Sequence, residues 1–173
     1  MSSELRVDRI IPTAGIPTGG GGSIIQVVST TKTDTFSTSS SSFTDITGLS
    51  ASITPKFSTS KILVLTHVTG NGNGSTRVNF RLMRDSTAIC IGDTNGSRCR
   101  TFGGIFAPNN DNTTETVSAV HLDSPATTSA ITYKVQVTNQ TGNNVYVNRS
   151  DSYTEHSTHN SGTSSITVME ISA

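Results

Sequence analysis

The densest group of side chains able to do chemistry lies near the end of the chain, where Asp151, Glu155, His156 and His159 fall within nine positions. Imidazoles and carboxylates are zinc ligands, but a zinc site needs three or four of them held rigidly. This group sits in a polar stretch, residues 150–163, with no helical pattern to put both rings on one side. Around a three-fold axis two histidines per chain would become six, enough for an octahedral ion. Within a single chain the stretch reads as a solvated loop, and no metal is expected. Tyr153, His156 and His159 are instead the candidates for contact with a receptor, as mixed aromatic and polar side chains suit adaptable loops.

Catalytic patterns are thin elsewhere. Serine is so common that a Ser–His pair can be drawn anywhere, and no Gly-x-Ser-x-Gly elbow is present. Glycan cleavage needs two carboxylates flanking the bond; Asp111 and Glu115 are the closest such pair, in a Gly/Asn-rich region. The chain therefore reads as a non-enzyme without a cofactor. His67 and His121 stand inside apolar runs and read as core or interface residues.

The elements that would carry these residues are strands. Residues 24–29 form a first one, and 30–42 is almost pure Ser and Thr around Phe36, a loop or a poor edge. Residues 43–46 and 51–54 alternate on either side of Gly48. Residues 61–69 are apolar on both faces through Ile62, Leu63, Val64, Leu65 and Val68, and a strand of that kind is covered on both sides. Asn71-Gly-Asn-Gly is a turn. Residues 77–84 and 87–92 follow as a hairpin through Asp85-Ser86, the arginines making one polar face against Val78, Phe80 and Leu82. Residues 93–113 read as irregular. Residues 116–123 are a strand, and Ile131, Tyr133, Val135 and Val137 mark one face of the next. Residues 145–148 are expected to pair with it across Thr141-Gly-Asn-Asn, and 164–171 is a closing strand. Eight to ten strands without a helix predict an all-β antiparallel β-sandwich, a jelly roll.

Residues 1–23 differ from the rest. Leu5, Val7, Ile10 and Ile11 nearly alternate, then Pro12, Pro17 and four glycines from Gly19 to Gly22 break any regular element. The division is an extended N-terminal arm over residues 1–23 with a glycine joint, and a head over 24–173. Leu5, Val7, Ile10 and Ile11 are the docking candidates of the arm.

Composition narrows the class. Hydrophobic residues make up 32% and charged residues 14%, with a formal net charge of zero. Disorder goes with high net charge, so a β-domain with a thin core is the better reading. Ordering a residue costs roughly 1–2 kcal/mol of backbone entropy against about 25 cal/mol per Å² of apolar burial, so a thin core gains by burying a sheet against copies of itself. Leu63 and Leu65 are the candidates for that interface. Basic residues are too scattered for nucleic acid. No run reaches the ~18 apolar residues of a membrane span, so no membrane insertion is expected. Glu4, Arg6, Asp8 and Arg9 stand where a secretion signal would be apolar.

Several blocks of the sequence resemble a known group. Leu5-Arg-Val-Asp-Arg-Ile-Ile-Pro-Thr-Ala-Gly looks like the N-terminal motif of many marine and cyanobacterial phage virion proteins. Phe43-Thr-Asp-Ile-Thr-Gly-Leu, Arg81-Leu-Met-Arg-Asp-Ser-Thr, Leu122-Asp-Ser-Pro-Ala-Thr-Thr and Ile166-Thr-Val-Met-Glu-Ile are similar to blocks of the same group. The resemblance implies a tail-fibre-like protein on the virion surface, with a trimeric jelly-roll head akin to those of tumour-necrosis-factor type. It implies a homotrimer assembled in the host cytoplasm, contacting other phage virion proteins of tail or capsid through the arm and a host surface glycan or receptor through its loops. Fibres usually have a long shaft and this chain has only a glycine joint, so a capsid decoration protein is the alternative. For assembly in a reducing cytosol, Cys90 and Cys99 read as free thiols, with a late disulfide as the alternative.

Overall fold

A computed structural model describes residues 22–107, 112–151 and 156–173. The docking candidates Leu5, Val7, Ile10 and Ile11, and the loop residue Tyr153, lie outside the described residues.

Segments rich in Thr, Val and Ile, some alternating and some apolar on both faces, form eleven strands among the described residues: β1 (Ile24–Lys32), β2 (Phe36–Thr38), β3 (Thr44–Ile53), β4 (Lys61–Gly72), β5 (Thr76–Arg84), β6 (Thr87–Ile89), β7 (Gly103–Ala107), β8 (Glu115–Asp123), β9 (Ile131–Asn139), β10 (Val145–Val147) and β11 (Ser164–Ile171). They form two antiparallel sheets. Sheet A runs β1-β11-β4-β10-β2, with β8 on the other edge of β4; sheet B runs β3-β9-β5-β6, with β7 also on β5.

The core lies between the sheets. Ile62, Val64, Val68, Ile166 and Val168 point inward from sheet A, and Ile46, Leu49, Val78, Phe80, Leu82, Ile105, Tyr133, Val135 and Val137 from sheet B. One ionic cluster ties the layers. Asp123 of β8 accepts hydrogen bonds from the Tyr133 hydroxyl at 2.7 Å and from Arg84 at 2.8 and 3.0 Å. Burial, with the Asp123 carboxylate beside it, pushes the Tyr133 phenol above its ordinary value, so it stays a donor.

Four expectations change. The stretches on either side of Gly48 are one strand, because Gly48 takes a positive φ of 82° and absorbs a register shift between Asp45 and Ser50. Val145–Val147 does not pair with β9. Both edges of β9 are occupied by β3 and β5, so β10 crosses to sheet A and pairs with β4 and β2. The irregular stretch contains a short strand, β7, while the Ser/Thr stretch takes the edge reading, with β2 at the end of sheet A. Arg84 leaves the polar face of β5 and turns inward to Asp123, on the same side as Leu82.

Candidate functional site

The outer faces of the two sheets differ in kind, and the difference follows from the strand period of two. Sheet B presents Arg77, Asn79 and Arg81 from β5, Lys134 and Gln136 from β9, and Asp45 from β3. Lys134 pairs with Asp45 at 2.7 Å, and Gln136 donates to the same carboxylate at 2.6 Å. Arg77 lies over the Phe106 ring and Arg81 over Phe43. It is an ordinary solvated face.

Sheet A presents the opposite. Register places Leu122, Leu63, Met169 and Val27 in one row across β8, β4, β11 and β1. Val120, Leu65, Thr167 and Ser29 form the next row, and Ser118, His67, Ser165 and Thr31 the one after. Ile24 opposes Ile171 at the lower end. The three rows contain no Asp, Glu, Lys or Arg. Val120 is 67% exposed, Ile24 58%, Val27 53% and Leu122 48%, while Leu63, Leu65 and Met169 are half-buried. Single exposed apolar residues are common, but a contiguous apolar band on a chain this polar makes this face the candidate contact surface.

The sequence candidates fall in two places. Leu63 and Leu65 occupy the middle of this band, and β4 is covered on its inner side by sheet B. The sequence marked those two leucines; it missed Val27, Val120, Leu122 and Met169, whose strands alternate too plainly to draw notice singly. His67 belongs to the outer face beside Leu65, and its Nδ1 lies 3.0 Å from the Ser165 hydroxyl. His121 faces the other way, on the side of Asp123.

His156 and His159 come together with ring centroids 5.7 Å apart, and His156 Nδ1 is 2.9 Å from the Thr158 hydroxyl. Among the described residues no group of three His, Cys, Asp or Glu could hold a metal ion. Cys90 and Cys99 are free, and burial pushes the Cys90 thiol up, the reverse of nucleophile activation. Among the described residues no helix is long and apolar enough to cross a membrane. Comparison with known protein families and with characterised proteins finds no match to this chain.

Proposed function

We propose that this chain is a non-enzymatic bacteriophage virion structural protein, a homotrimeric tail-fibre or receptor-binding appendage whose copies meet through the outer face of sheet A. The observation that carries the reading is the uncharged apolar band centred on Leu63 and Leu65. Similarity of five sequence blocks to phage virion proteins supports the virion role. The strand orders β1-β11-β4-β8 and β3-β9-β5-β7, with the chain passing repeatedly between sheets, support reading the fold as a jelly roll.

The band also bears on symmetry. A two-fold contact pairs a patch with itself, whereas a closed ring needs two different patches that fit each other. The band has two such parts. Val120 and Leu122 ride on β8, which among the described residues pairs with β4 alone; Ile24, Val27, Met169 and Ile171 spread over β1 and β11. In the proposed trimer the β8 rim of each copy rests on the β1–β11 part of the next.

Size-exclusion chromatography with light scattering tests this directly. The expected species has three times the 18.1 kDa chain mass. A stable monomer at micromolar concentration would end the reading.

A further inference from the structure

The apolar rows give way to a polar one at His67, and that row holds the one titratable group in the three. A concavity of about 210 Å³ opens there, lined by Leu65, His67, Ser118, Val120, Ser165 and Thr167. Any side chain of a second copy seated in it would touch the apolar band and the imidazole together.

The surroundings of the ring decide what protonation would do. From β11 it meets Ser165, from β8 Ser118 stands opposite, and along β4 the same face carries Leu65 and Thr69. Thr31 of β1 lies beyond Ser165. Charged groups on this face stand only at its ends among the described residues. Lys61 is at the start of β4, and at the other end, beyond Thr69, Arg149 lies over the Tyr146 ring with the Asp151 carboxylate beside the same side chain. Glu115 opposes Gly70 and belongs to the other side of the sheet, as do Asp123 and Glu170. A serine hydroxyl serves a neutral imidazole in either tautomer, but it does not neutralise an imidazolium.

We propose that His67 makes assembly through this face pH-dependent, its protonation releasing the copies from one another. The proposal rests on the trimer reading and adds a regulatory group to that same surface. Histidine is the side chain whose ordinary titration spans pH 5 to 8. On a free copy the cation keeps its water. Beneath a partner the water is displaced and the three described rows offer no carboxylate to replace it, so burial disfavours the charged form. Free copies then bind protons that assembled copies do not, and mass action favours free copies as pH falls. Three such sites per trimer steepen the response. The concentration at which half the protein is assembled should rise on the order of 10-fold or more between pH 7.5 and pH 5.5.

Sedimentation velocity on the full chain at both pH values, over a concentration series, tests the proposal. Wild type should be trimeric at pH 7.5 and dissociate at pH 5.5 while its melting curve still reports a folded head. His67→Gln, which keeps a polar group beside Ser165 but cannot become a cation, should stay trimeric at both, and His121→Gln should follow wild type. A wild-type trimer that persists at pH 5.5, or a Gln variant that dissociates like wild type, overturns the gate and leaves the trimer standing. A monomer at pH 7.5 overturns the trimer and the gate together. Should His67→Gln fail to assemble at pH 7.5, NMR titration of the His67 ring in wild type and in a monomeric Val27→Asp variant, whose carboxylate lies two strands and two rows from the ring, decides. Equal protonation midpoints in the two would overturn the proposal.

Discussion

Glu170 is a fully buried carboxylate with no cation paired to it among the described residues. It accepts hydrogen bonds from the Gln26 amide at 2.6 Å, the Lys56 N–H at 2.7 Å and the Phe57 N–H at 3.4 Å, and so pins the segment between β3 and β4 to β11. Burial alone would raise its pKa, yet the bonds from Gln26 and the two backbone N–H groups hold it below the ordinary 4.5. A group whose folded value is depressed contributes stability above its unfolded value and loses it as pH falls through the folded one. Urea denaturation should therefore show stability dropping below about pH 4.5, and Glu170→Gln should flatten that drop. At pH 7, Glu170→Ala should cost about 2–3 kcal/mol, since it strands buried donors. Asn148 is a second anchor. At a positive φ of 63° its amide donates to the carbonyls of Lys32 and Asp34, both at 2.9 Å, and accepts from the Ser164 hydroxyl at 2.6 Å. Asn148→Ala should cost roughly 2–4 kcal/mol by the same measurement. Glu170 was legible in part: the alternation that sends Ile166 and Val168 inward sends Glu170 with them. Asn148 was not, because the two acceptors of its amide are backbone carbonyls more than a hundred residues away.

At the scale of elements, β9 and β11 were legible because each alternates over eight or more residues, and β4 and β8 because each is a long run rich in β-branched and aliphatic side chains. Three-residue strands such as β2 and β10 have too few side chains to alternate, and they exist only because β10 lies between β2 and β4. Gly48 read as a break because glycine weakens strands, whereas here it supplies the left-handed φ that lets β3 continue. The apolar band is likewise a property of four strands in register, which no single segment contains. Val120→Asp tests it with little risk to the fold, since that side chain is two-thirds exposed in the isolated chain. An unpaired carboxylate beneath a partner should cost about 3 kcal/mol, roughly 100-fold in the dissociation constant. Light scattering should report a folded monomer. Leu65→Asp should act in the same direction with a larger loss of stability, because Leu65 is already half-buried in the monomer. Cysteines at Val27 and Val120, with Cys90 and Cys99 replaced by serine, distinguish the symmetries. Oxidised samples should run as covalent trimers when both new cysteines are present and as single chains when either is alone. Dimers from Val120→Cys alone would indicate a two-fold contact instead.

For the whole molecule, composition told the class before any motif did: little charge, little apolar surface, and abundant Thr, Ser, Asn and Gly pointed to strands and turns with a surface still to cover. The position of that surface was partly legible, through Leu63 and Leu65; its extent depends on register and was not. Under the proposed virion function, what an assembled head would do on a particle depends on where it sits, and the two virion roles would load it differently. A decoration protein stabilises the shell by binding many capsid sites, each bound copy adding to stability by mass action. A fibre attaches at the tail, whose symmetry limits it to few copies, and works through exposed loops. The solvated outer face of sheet B lies across the core from the proposed contact face, and the loop holding His156 and His159 borders that face only at its far end, where Gly162 packs on Thr69, which suits a head presented outward. We therefore expect few copies per particle, labelling near the tail, and particles without the protein that survive heating as well as wild type. Gel densitometry against the major capsid protein measures the ratio. One copy for every few capsid subunits, with heat-sensitive particles in its absence, would replace the fibre role by decoration while leaving the trimer and its contact face as they are.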